Sequence, residues 1–157
     1  MKMSEGVEWA LHTCVNLSWT DPGDAVPAAR LAEVFSLPTA YLSKHLQALA
    51  RAGILISTTG PRGGFRLGRD PASITLLDVV TAIEGPEDAF RCRQILKDGP
   101  GGRPDVDYRR TCTISQAMRK AELAWRTALA EQTIADVRRT VEQRDPAAPE
   151  ATRERLR

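Results

Sequence analysis

The stretch from Val26 to Leu67, VPAARLAEVFSLPTAYLSKHLQALARAGILISTTGPRGGFRL, constrains this chain more than any other feature. It holds two helical apolar periodicities joined by a gap that admits only a tight turn. Two short strand-like runs follow, around a glycine-rich tip. In the first helix Ala28, Leu31, Ala32 and Phe35 recur at helical spacing; in the second Leu42, Leu46, Leu49 and Ala50 do so, so each helix has one stripe to bury. Pro27 and Pro38 suit first helical turns, where the N–H that proline lacks would have no partner and its fixed φ is already helical. Ser36-Leu37 keeps the helices adjacent and steeply crossed, as in a helix-turn-helix. Gly53 stops the second helix. Ile54 to Thr58 and Phe65 to Leu67 read as the strands of a wing.

The face of the second helix opposite its stripe carries Thr39, Ala40, Ser43, Lys44 and Gln47, with Tyr41 at its edge. These are short or hydrogen-bonding groups of a size that fits a major groove, and no long acidic side chain stands among them. The wing tip, Gly60-Pro61-Arg62-Gly63-Gly64, puts one cation on a backbone free to approach phosphates or a minor groove. A nucleotide-binding loop is a poor fit, because the Gly-Lys-Ser/Thr of a P-loop is missing and a strand follows instead of a helix. Double-stranded DNA is therefore the expected partner.

Net charge narrows this further. At +2 it is too small to attract nucleic acid by itself, so affinity must come from local placement of Arg30, Lys44, Arg51, Arg62, Arg66 and Arg69. The chain has no apolar run of membrane-spanning length and no signal pattern at its start, so a soluble, cytoplasmic protein is expected. Cys14, Cys92 and Cys112 are an odd number of thiols, which argues against a disulfide framework and toward metal or redox chemistry.

The expected fold is mainly α: a winged helix-turn-helix over residues 1–84, a loop over 85–112, a long dimerisation helix over 113–143 and a disordered tail over 144–157. Gly6 to Ser18 forms the first helix, with Val7, Ala10, Leu11, Cys14 and Val15 inward. Ile74 to Ile83 forms another before Gly85-Pro86. Gly99-Pro100-Gly101-Gly102-Arg103-Pro104 has no regular structure. The final periodic segment, with Ile114, Met118, Trp125, Leu129, Ile134 and Val141 on one broad stripe, has more apolar face than its own domain can cover, which points to a second copy of the chain. The tail is expected to be disordered for its prolines and low apolar content.

Glu8 and His12 stand at i and i+4 on the first helix, projecting from one face away from its core stripe. Cys14 lies roughly 200° round the helix from His12 and belongs to the core. Cys92 and Cys112 flank the glycine-rich loop. Two thiolates, an imidazole and a carboxylate are donors of the types that hold iron–sulfur clusters or zinc.

The block SLPTAYLSKHLQALARAGILISTTGPRGGFRLGRDPASITLLDVVTAIEG, the cysteines after it, and ISQAMRKAELAWRTALAEQTIADV resemble the IscR/NsrR-type family of bacterial winged-helix repressors over about residues 4 to 141. The usual family loop holds three closely spaced cysteines; here there are two, Cys92 and Cys112, with a long insertion between. Thr59 stands where an arginine often precedes the wing's Gly-Pro, so Arg62 takes any minor-groove role. The start, GVEWALHTC, with the two loop cysteines, is most similar to redox regulators within that family. The resemblance implies a homodimeric, redox-sensing transcriptional regulator rather than an enzyme. It implies a [2Fe-2S] cluster held by Glu8 and His12 of one subunit and Cys92 and Cys112 of the other. Trp9 lies between the two helix donors and is the candidate switch residue. The alternatives are structural zinc at the same ligands and a Cys92–Cys112 thiol/disulfide switch.

Overall fold

A computed structural model describes residues 3–157. Its helices are α1 (Glu5–Leu17), α2 (Ala28–Val34), α3 (Thr39–Arg51), α4 (Leu76–Glu84), α5 (Tyr108–Thr111), α6 (Thr113–Ala130), α7 (Ile134–Arg144) and α8 (Ala148–Leu156). The only sheet among the described residues is the antiparallel hairpin of β1 (Leu55–Thr58) and β2 (Gly64–Leu67), with Leu55 opposite Leu67 and Ser57 opposite Phe65. The mainly helical fold with a two-stranded wing is the one expected from the sequence.

The two apolar stripes close the helix-turn-helix. Leu31 and Ala32 of α2 and Leu42, Leu46 and Leu49 of α3 are fully or almost fully buried. Each leucine so placed contributes about 1.5 to 3 kcal/mol relative to exposure. Ser36 makes the turn in left-handed backbone, φ 54°. The wing is tied to this unit from outside the hairpin: Val26 and Phe65 exchange N–H···O bonds of 2.9 and 2.8 Å. A Cβ on Gly64 would overlap the Val26 carbonyl, so only glycine lets the two backbones approach there.

α1 crosses behind the unit with Val7, Ala10, Thr13, Cys14, Val15 and Leu17 buried. Arg138 donates to the Ser18 carbonyl at 3.3 Å and Arg153 to the Trp19 carbonyl at 3.5 Å, so cations from α7 and α8 meet the negative end of α1.

Two expectations are corrected. The segment 113–143 is not one helix: α6 ends at Ala130 and α7 restarts at Ile134. Thr133 caps α7 through a reciprocal pair with Asp136, and Ile134 is wholly buried, its N–H bonded to the Ile74 carbonyl. The tail over 144–157 is not disordered: α8 packs on α1, α2 and α7 with Thr152 and Leu156 buried. Pro149 falls in its first turn, where proline does no harm.

α6 is the outlier of the fold. Ser115 is its only buried residue, while Ile114 (68%), Leu123 (65%) and Met118 stand exposed. No helix among the described residues is long and apolar enough to cross a membrane.

Candidate nucleic-acid interface and metal centre

The second helix of the pair, α3, divides cleanly. Leu42, His45, Leu46 and Leu49 point inward; Thr39, Ala40, Tyr41, Lys44 and Gln47 are exposed and Ser43 is half-buried. The face expected to read DNA is therefore open along its length. Arg62 is exposed at the wing tip, and no ion pair holds it among the described residues. Other arginines are less available. Arg30 pairs with Glu33 at 2.8 Å and Arg69 with Asp78 at 3.4 Å.

His45 escaped the reading of the sequence, although it lies three residues beyond Leu42 and four before Leu49, inside the stripe. Its ring packs edge-on against Tyr41, centroids 5.1 Å apart and planes at 75°. Burial, with the Lys44 ammonium beside it, holds its pKa below the usual histidine value, and its buried Nε2 has no hydrogen-bond partner.

On α1, Glu8 and His12 are both exposed, one turn apart. Met3, Val7 and Leu11 form an apolar cavity beside them of about 290 Å³. His12 also stands at the rim of a second apolar hollow, of about 170 Å³, between α1 and α7. The adjoining face of α1 meets the helix-turn-helix. Trp9 packs on Phe35, at the end of α2, with ring centroids 5.4 Å apart, and the His12 ring is 6.3 Å from the same Phe35.

Cys92 and Cys112 are both half-buried, free thiols. Cys112 is the residue at the N-terminus of α6. Cys92 lines a cleft with Phe90, Arg109, Ser115 and Arg119, so it faces residues three positions to either side of Cys112. Ser115 fastens that end by donating to the Arg109 carbonyl at 2.9 Å. Cys14 is fully buried, and burial pushes its thiol up to about 12.

Within one chain these donors stay in two pairs. Among the described residues no three of His, Cys, Asp or Glu converge in a way that can hold a metal ion. A carboxylate and an imidazole on α1, and two free thiols near the start of α6, are donors of the types that hold iron–sulfur clusters or zinc.

The model of the family described as Rrf2, iron-dependent transcriptional regulator, matches residues 3–140. The putative HTH-type regulator YwgB of Bacillus subtilis is 27% identical over 87% of this chain and 84% of its own length. The HTH-type regulator IscR of Vibrio campbellii is 30% identical over 59% of this chain and 55% of its own. The solved structure of T. potens IscR superposes with a TM-score of 0.67 at 20% identity, covering 92% of this chain and 91% of that one, a likeness of fold.

Proposed function

This chain belongs to the Rrf2 family of transcriptional regulators, and from that premise we propose that it is a cytoplasmic, homodimeric, redox-sensing repressor that binds operator DNA. Glu8 and His12 of one protomer and Cys92 and Cys112 of its partner hold a [2Fe-2S] cluster in this reading. Tyr41, Ser43, Lys44 and Gln47 meet base edges in the major groove, Thr39 and Ala40 line the entry of α3, and Arg62 reaches from the wing.

One observation carries the proposal: α1 leaves Glu8 and His12 exposed while Gly6 of the same turns lies against His45 and Trp9 against Phe35 of the DNA-reading unit. Whatever is bound to Glu8 and His12 thus sits on a helix that touches α3 directly. Ile114 and Met118, exposed one turn apart on α6, support the second subunit, since a monomer leaves these side chains in water. A bound [2Fe-2S] cluster supplies a one-electron couple.

The residues of this chain do the rest. His12 and Glu8 hold their side of the site from a helix whose far end is clamped by Arg138 and Arg153, so strain at the donors is felt mainly at the first turns of α1. Trp9, packed on Phe35 with its indole N–H buried and unpartnered, is free of any hydrogen bond that would resist reorientation, which supports its role as the switch residue. The oxidised dimer binds its operator more tightly than the reduced one by a coupling of about 1 to 3 kcal/mol.

The test is anaerobic purification followed by a visible spectrum, iron and sulfide assay, and selection of binding duplexes from a random pool. Mixed dimers of Glu8→Ala/His12→Ala chains with Cys92→Ala/Cys112→Ala chains are expected to recover one site per dimer. A colourless protein without iron would sink the cluster reading. The meeting of Cys92 with the neighbours of Cys112 at one end of α6 favours, as second reading, a thiol/disulfide switch within the chain. It predicts a colourless protein whose DNA affinity responds to dithiothreitol. Zinc at the same four ligands would appear in the metal assay.

A further inference from the structure

We propose that His45 is a positioning residue for DNA recognition: its ring, wedged between Gly6 of α1 and Tyr41 of α3, makes the placement of the first turn of α1 a determinant of how Tyr41 meets DNA. The inference rests on the reading of α3 as the DNA-contacting helix.

Three independent observations converge on that ring. A Cβ on Gly6 would stand 2.8 Å from the His45 Nδ1 and 3.0 Å from its Nε2, so the ring lies directly on the backbone of α1. Any side chain at position 6 would require that ring to move. On its other side the ring meets Tyr41 edge-on at 5.1 Å, a geometry that aromatic pairs favour because a positive ring edge meets a negative face. The contact is also close-packed, since His45 is only 8% exposed.

The choice of histidine is informative because it is costly. A buried polar atom without a partner is destabilising, and Nε2 of His45 is such an atom. Leucine, which fills the neighbouring stripe positions, would avoid that cost. A flat ring does what leucine cannot: it fills a thin gap between a helix backbone and a tyrosine, touching both. Gly6 adds a cost of its own, since glycine is a poorer helix former than alanine. Two unfavourable residues facing each other, with the ring of Tyr41 behind them, form a through-contact from α1 to the exposed edge of α3. Gly6 lies two positions before Glu8, so motion of the donor-bearing turn is delivered to this ring.

The experiment uses the full-length dimer and two duplexes of equal length, one selected from a random pool and one scrambled. Gly6→Ala is expected to lower affinity for the selected duplex about tenfold or more, leaving scrambled-duplex affinity unchanged, because phosphate contacts are untouched. His45→Ala opens space, so the double variant Gly6→Ala/His45→Ala is expected to return to the level of His45→Ala alone. In parallel, the ring resonances of Tyr41, in protein labelled at tyrosine, should shift in Gly6→Ala and return in the double variant. Losses that simply add, or a folded Gly6→Ala dimer with unchanged affinity and unchanged Tyr41 resonances, would overturn the proposal. Equal wild-type affinity for both duplexes would instead remove α3 as a reader of sequence; the Tyr41 resonances then decide whether the His45 contact operates at all.

Discussion

Thr75 and Thr133, each the residue before a helix, face one another across an isolated antiparallel bridge. The Leu76 N–H donates to the Gln132 carbonyl and the Ile134 N–H to the Ile74 carbonyl, both at 2.9 Å. Each threonine hydroxyl also accepts from the backbone N–H of its own helix's third residue, Asp78 or Asp136, whose carboxylate reaches back to the threonine N–H. Two capping boxes are thereby locked to each other, and the starts of α4 and α7 behave as one piece.

Thr133→Ala should therefore destabilise the protein by about 1 kcal/mol, as loss of an N-cap does, read as a lower midpoint in urea. The Thr133 hydrogen bonds, with Arg139 nearby, hold the Asp136 carboxyl below its usual value of 3.8. A depressed folded-state value contributes stability above the unfolded value and loses it as pH falls through the folded one. The gap between wild type and Thr133→Ala should accordingly shrink below about pH 4; a constant gap would disconnect the carboxylate from the cap.

The three thiols should separate by reactivity. With Cys14 fully buried and its thiol raised to about 12, an alkylating reagent at pH 8 should modify Cys92 and Cys112 in cluster-free protein and reach Cys14 only on unfolding. Mass spectrometry of the labelled peptides gives the rates. Comparable labelling of all three in folded protein would contradict the burial of Cys14.

His45 predicts an acid sensitivity of its own. Its folded-state pKa lies below the usual 6.5, so the unfolded chain binds a proton first as pH falls. Stability attributable to the neutral ring is complete above about pH 6.5 and declines below it until the folded value is passed. His45→Gln should flatten that part of the stability profile between pH 7 and 5. Identical slopes for the two proteins would show that the ring is not held neutral.

On the DNA face, Lys44→Ala and Gln47→Ala should each weaken binding to a selected duplex by about 1 to 3 kcal/mol, as loss of a base contact does. Arg62→Ala should weaken selected and scrambled duplexes alike and reduce the dependence of affinity on salt. Unaltered affinity in all three, with folding intact, would leave the winged-helix face without a DNA-binding role.

At the C-terminus, Leu156 is only 6% exposed, and the same helix reaches Trp19 through Arg153. Leu156→Ala should cost about 2 kcal/mol, the low end for a buried leucine. A disordered tail would show no change in the denaturation midpoint.

Local rules in the chain were enough for the helix-turn-helix, the glycine-tipped wing, the inward Cys14 and the outward pair Glu8 and His12, because stripe, cap and turn are each decided within about two helical turns of sequence. The same rules read 113–143 as one helix. Thr133 carries a legible cap signal, but the apolar period runs straight across it, and only the bridge to Thr75 and the burial of Ile134 settle which signal prevails. The tail is illegible for a like reason: Leu156 and Thr152 look solitary until the surface of α1 and α2 is there to receive them. His45 could be placed on its stripe by spacing alone, yet Gly6, 39 positions earlier, becomes its neighbour only when α1 folds against α3. What the tertiary structure decided are thus the contacts between segments distant in sequence, where free energy comes from surfaces that do not exist until both partners are in place.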